Sequence, residues 1–219
     1  MTPRDLRYFN PFANVEKWGH KLPHWQQTGT TVFVTFRLAD SLPAHLLGEW
    51  QKERAAWVLQ HPKPWTEELE REYHQRFSTR IDKWLDEGHG ECHLRDRACR
   101  EPLVRTLQHS DGKGYCLHAW VIMPNHVHVL YSLLGDATID AETGAWKSVS
   151  TRGINKLLHR GGQLWQSGYF DRLIRDAGHF VNVIKYIRRN PHIAGLKNGE
   201  YELFESEMAL AMAPYHSRP

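Results

Sequence analysis

Two histidines one residue apart, His126 and His128, sit in the apolar stretch CLHAWVIMPNHVHVLYSLL at residues 116–134. The flanking residues read as two strands joined at Met123-Pro124-Asn125. Side chains alternate along a strand, so both imidazoles project from one face. Two imidazoles so placed can grip one divalent ion. The spacing alone decides little: fifteen histidines in 219 residues give about one such pair by chance, and a metal site needs further ligands. The apolar setting adds weight, because a buried imidazole must be bonded or ligated. A core histidine bonded to backbone is the competing reading.

A second candidate lies on a helix expected at about 178–190. Phe180, Val183, Ile184 and Ile187 follow i, i+3, i+4, i+7 and form an apolar stripe for the core. A second stripe holds His179, Asn182, Tyr186 and Asn190, which sets Tyr186 among polar neighbours. A tyrosine kept for packing fits the apolar stripe better, although interfacial tyrosines are common. A tyrosine hydroxyl has a pKa near 10 and becomes a useful nucleophile only when activated.

Charge is unevenly spread. Residues 146–190 hold nine Lys/Arg against two acids, a balance of +7 on a chain whose net charge is +3. Such a segment fits a polyanion-binding face, with an ordinary solvated surface as the alternative. Its candidate contacts are Arg152, Lys156, Arg172, Arg175, Lys185, Arg188 and Arg189. Trp165 and Tyr169 are candidates to stack on bases or to pack in the core. His89, Cys92, His93 and Cys99 have metal-ligating side chains, but their spacing matches no structural zinc pattern.

Elements must position these groups. Residues 31–38 read as a strand, and 44–60 and 65–86 as helices split by His61-Pro62-Lys63-Pro64. A helix at 94–108 precedes the strands 114–123 and 126–134. A helix at about 146–160, a strand at about 164–174 and the Tyr186 helix follow. The order fits an α+β, ferredoxin-like (split βαβ) antiparallel sheet with helices on one side and a helical insertion at about 43–110. A single domain is expected, with an N-terminal arm at 1–27 and a loosely held tail at 197–219. Three cysteines are too few for a disulfide framework. No apolar run reaches the ~20 residues of a membrane span. The N-terminus has no secretory h-region, so a cytoplasmic location without membrane contact is expected.

The segment MPNHVHVL resembles the histidine–hydrophobe–histidine signature of the HUH single-strand nucleases and transposases. TVFVTFRL at 31–38, LWQSGYFDRLIRD at 164–176 and YIRRNPHIAGL at 186–196 match in the right order. The whole is similar to the REP-associated tyrosine transposases, within the single-tyrosine insertion-sequence transposase group. The resemblance covers roughly residues 20–196.

That resemblance implies a divalent ion held by His126 and His128, Mg²⁺ by abundance, with Mn²⁺ as an effective substitute. It implies Tyr186 as nucleophile, forming a 5′-phosphotyrosine on single-stranded or hairpin DNA. It makes Asn190 the third ligand, where relatives often carry a longer glutamine. A residue before proline is biased away from helical angles, which would turn Asn190 off the Tyr186 face or make it a helix cap. Asp171, in the family's W-x-x-x-Y-x-D segment, is expected to hold its strand near the site. Two other readings stay open: a metal-dependent nuclease in which water attacks, and a non-catalytic nucleic-acid-binding module. Tyr131, the only aromatic of 126–134, falls on the face opposite the histidines, which disfavours the binding module. The sequence leaves monomer or homodimer open.

Overall fold

A computed structural model describes residues 5–18, 24–62 and 65–215. Lys63 and Pro64 of the expected helix break lie outside them. The chain runs β1 (Glu16–Trp18), β2 (His24–Gln26), β3 (Thr31–Arg37), α1 (Ala44–Gln60), α2 (Glu67–Tyr73), α3 (Thr79–Asp86) and α4 (Arg97–His109). It continues with β4 (Tyr115–Ile122), β5 (His126–Leu133), α5 (Ile139–Leu157), β6 (Phe170–Leu173), α6 (Ala177–Ile193), β7 (Glu202–Glu205) and α7 (Glu207–Met212). A π-helical turn, His74–Ser78, joins α2 to α3.

Five strands form one sheet in the order β6-β3-β5-β4-β7, every pair antiparallel. β3, β4, β5 and β6 thus lie fourth-first-third-second, the arrangement of a split βαβ sheet. β7 extends it beyond β4. The expected loose tail is therefore corrected: residues 202–212 add an edge strand and a helix whose Met208 and Ala209 are buried. Short, charged ELFE gives little strand signal, because its pairing comes from β4 rather than from its own alternation. The residues before β3 also hold structure, with β1 paired to β2 and Leu6 in the core.

Both faces of the central strands are buried. Val32, Val34, Phe36, Val129 and Tyr131 pack with α4 and α5, and Trp146 reaches Tyr115 there through a 2.9 Å bond from Nε1 to the hydroxyl. Gly153 lets α5 approach α4: a Cβ there would lie 2.7 Å from Pro102 Cβ. Phe33, Val121 and Leu130 pack on the other face with Phe180, Val183, Ile184 and Ile187 of α6. Helices on one side therefore holds for α4 and α5 but not for α6. Strands buried on both faces give no period-two signal to say which face a helix covers.

The inserted helices have a small aromatic core of their own around Trp57, Tyr73 and Phe77. They meet the sheet through the β4–β5 turn, where Asn125 donates to Leu85 and His89 carbonyls.

Candidate active site

β5 sets His126 and His128 on the α6 face, with ring centroids 4.8 Å apart. Each ring is oriented by a neighbour. Asn125 is buried, and its Nδ2 donates to two carbonyls at 3.1 and 3.2 Å, so its Oδ1 must be the group 2.8 Å from His126 Nδ1. An amide oxygen only accepts, so His126 carries its proton on Nδ1 and Nε2 keeps a bare lone pair. His128 Nδ1 lies 2.7 Å from Thr35 Oγ1, across the β3–β5 pair. Burial lowers the His126 pKa to about 3 and that of His128 well below its usual value. Both rings are neutral at pH 7, as metal ligands must be.

α6 delivers Tyr186 to this pair. Its hydroxyl is 3.4 Å from His128 Nε2, and its ring meets Phe33 edge-on at 5.9 Å. Asn190 stays on the same stripe. The helix runs through Pro191 to Ile193, with Ala194 N bonding the Asn190 carbonyl at 3.0 Å, so Asn190 is neither turned away nor the cap. Proline falls in the last turn, where the helix needs few further bonds. Asn190 lies against His126 and Tyr186, is buried, and leaves its Oδ1 without a hydrogen-bond partner.

These groups suit a divalent ion: neutral imidazole nitrogens, outer partners that fix the rings, and one orphaned amide oxygen. His126, His128 and Asn190 would hold it. Among the described residues no three His, Cys, Asp or Glu side chains group for a metal, so a third ligand beside the two histidines would have to be another group, such as this amide.

The inserted helices add two groups that the sequence reading missed. Asp82 of α3 comes up against the Tyr186 hydroxyl, with Asp86 nearby. Burial pushes Asp82 up to about 6; burial and Asp82 do the same to Asp86. Burial and the two carboxylates raise Tyr186 well above 10, so the hydroxyl stays protonated at neutral pH. An i, i+4 acid pair on a charged helix is ordinary surface sequence, and only the tertiary contact sets it apart. Thr35 and Asn125 were also missed, although Asn125 directly precedes the histidine pair.

The expected DNA contacts divide. Arg152, Lys156, Arg175 and Arg189 are exposed, and Lys185 is half-buried. Arg172 donates to the His74 ring at 2.6 Å; burial and the nearby Arg172, Arg175 and His179 lower that histidine to about 4. Arg188 is committed elsewhere: it pairs with Glu205 at 2.6 Å and donates to the Ala213 carbonyl, tying α6 to the C-terminal segment. His89, Cys92 and His93 keep separate partners, Glu87, the Gly88 carbonyl and Arg160. Asp171 sits in β6 opposite Val34.

Residues 98–190 match the family model described as "Transposase IS200 like". One similar solved structure is a REP-associated tyrosine transposase bound to a REP hairpin, at 15% identity and a TM-score of 0.44, covering 80% of this chain and 73% of that one. Another is a protein from Deinococcus radiodurans R1 with a provisional transposase assignment, at 15% identity and a TM-score of 0.31, covering 75% and 93%. No curated protein matches. Residues 98–190, which contain His126, His128, Tyr186 and Asn190, are thus similar to the IS200-like transposase family over somewhat less than half of the chain.

Proposed function

We propose that the protein cleaves and rejoins single-stranded DNA beside a hairpin through a 5′-phosphotyrosine at Tyr186. The observation that carries this reading is the Tyr186 hydroxyl 3.4 Å from Nε2 of a neutral, oriented His128. His126 and His128, with Asn190, would hold Mg²⁺ or Mn²⁺. Bound there, a divalent ion supplies charge neutralisation and orientation of the scissile phosphate for in-line attack.

The remaining work falls to the chain. Tyr186 Oη attacks phosphorus, the Oη–P bond forms, and the bond to the 3′ oxygen breaks. Asp82, which lies against the hydroxyl, accepts its proton, and the departing 3′ oxygen takes one from water. The phosphotyrosine conserves the phosphodiester, so attack by a 3′-hydroxyl reverses the step without ATP. Phe33 and the α6 backbone fix the ring, which limits the motion the attack requires.

A hairpin oligonucleotide with a single-stranded flank, labelled on the flank and incubated with Mn²⁺, tests this on a denaturing gel. Label retained on the protein is the expected result. Cut DNA with no protein attached would instead mean that water attacks.

A further inference from the structure

A cleft of about 470 Å³ lies on the other face of the sheet, between α5 and the segment leading into β6. Asp140, Gly144, Lys147 and Arg152 line it from α5, and Trp165 and Tyr169 from the facing segment. Lys147 Nζ donates to the Gln166 and Gly168 carbonyls at 2.7 Å each, which clamps that segment to the helix. Trp165 is buried edge-on to Phe36 and donates to Ser150 Oγ at 3.0 Å, so it forms a fixed floor. Tyr169 is half-buried, its hydroxyl 3.4 Å from Asp140 Oδ1. Arg152 is exposed at the rim and bonds its own helix at Ser148 Oγ.

The cleft is close to the histidines along the sheet. Phe170, Thr35 and His128 are lateral neighbours on three strands. Two strand spacings are about 10 Å, roughly three nucleotides of stacked strand at ~3.4 Å each. β6 is the edge strand, and Tyr169 directly precedes it, so DNA leaving Tyr186 can turn this edge onto the other face.

We propose that the cleft binds one unpaired nucleotide of the substrate strand, its base on Tyr169 and its phosphate at Arg152. The proposal rests on the single-strand DNA reading above. A cleft of this volume suits a ligand of nucleotide size. Aromatic faces stack any base, and a guanidinium pairs with phosphate oxygens.

Gly144 offers a clean test. A Cβ there meets nothing within 4 Å, and leucine forms helix better than glycine, so Gly144→Leu fills the cleft without disturbing the fold. Affinity is measured for the full-length protein and for Gly144→Leu, using a flanked hairpin and a set with one abasic flank position each. At one position the abasic site should weaken the unaltered protein about tenfold. Gly144→Leu should lose about as much on intact DNA and nothing further at that position. Equal affinity of Gly144→Leu and the unaltered protein for intact DNA overturns the proposal, as does a loss that adds to every abasic site alike. Position-specific coupling without any Tyr186 adduct would keep the cleft and remove the transposase chemistry.

Discussion

The histidines are held by partners as specific as themselves. Asn125 reaches two carbonyls with its nitrogen and His126 with its oxygen, so one side chain sets the turn and the tautomer together. Asn125→Ala should therefore weaken Mn²⁺ binding about 10–100-fold while both histidines remain, a drop that calorimetry would register. His126→Ala or His128→Ala should cost more than that. Asp82 makes a separate prediction. Its carboxyl is raised from 3.8 to about 6 by burial, so folding disfavours its ionised form. Stability then falls as pH rises between about 4 and about 6, and stays reduced above. Asp82→Asn should gain ~1–2 kcal/mol at about pH 7.5 and nothing near pH 4, read from urea unfolding at both. An equal gain at both pH values would mean that the carboxyl is not perturbed.

Secondary structure was largely legible, and its tertiary use less so. Periodicity predicted β5 and α6 because each has a clear apolar pattern, and the two stripes of α6 place Tyr186 and Asn190 as the fold has them. The start of α5 was missed by seven residues. Thr138 caps it by accepting from Ala141 N, and Asp140 and Glu142 sit in its first turn, but Gly144 interrupts the helical pattern. The expectation that Pro191 displaces Asn190 failed because a proline near a helix end meets little resistance. The face that α6 covers, and the arrival of α3 over Tyr186, depend on contacts far apart in the chain. Two substitutions check these elements. Gly153→Leu should destabilise by about 1–3 kcal/mol, since Pro102 leaves no room. Arg188→Ala should cost about 3 kcal/mol by stranding Glu205, whose side chain is 5% exposed, and leave DNA affinity nearly unchanged.

At the scale of the molecule, the sheet has two unlike faces. One is a packed core against α4 and α5; the other holds the histidines under α6, with the inserted helices closing over them. Exposed Arg152, Lys156, Arg175 and Arg189 give the 146–190 segment its basic, polyanion-attracting character. DNA affinity should fall steeply between low and high salt, and fluorescence anisotropy at two concentrations would read the slope. Flexible strands can bend to such a site, whereas duplex must first melt at about 1.4 kcal/mol per step, so a duplex of the same sequence should be cut far less. Among the described residues no helix is long and apolar enough to cross a membrane.

The central claim is that the Tyr186 oxygen itself becomes bonded to DNA. Tyr186→Phe keeps the ring against Phe33 and removes only the hydroxyl. The most direct measurement compares the two proteins on a flanked hairpin with Mn²⁺, mapping any DNA-linked peptide by mass spectrometry. The unaltered protein should yield a nucleotide attached at Tyr186 and a free 3′-hydroxyl, while Tyr186→Phe binds the hairpin with near-normal affinity and yields no adduct. An adduct of normal yield from Tyr186→Phe, or one mapped to Tyr169, would contradict the account.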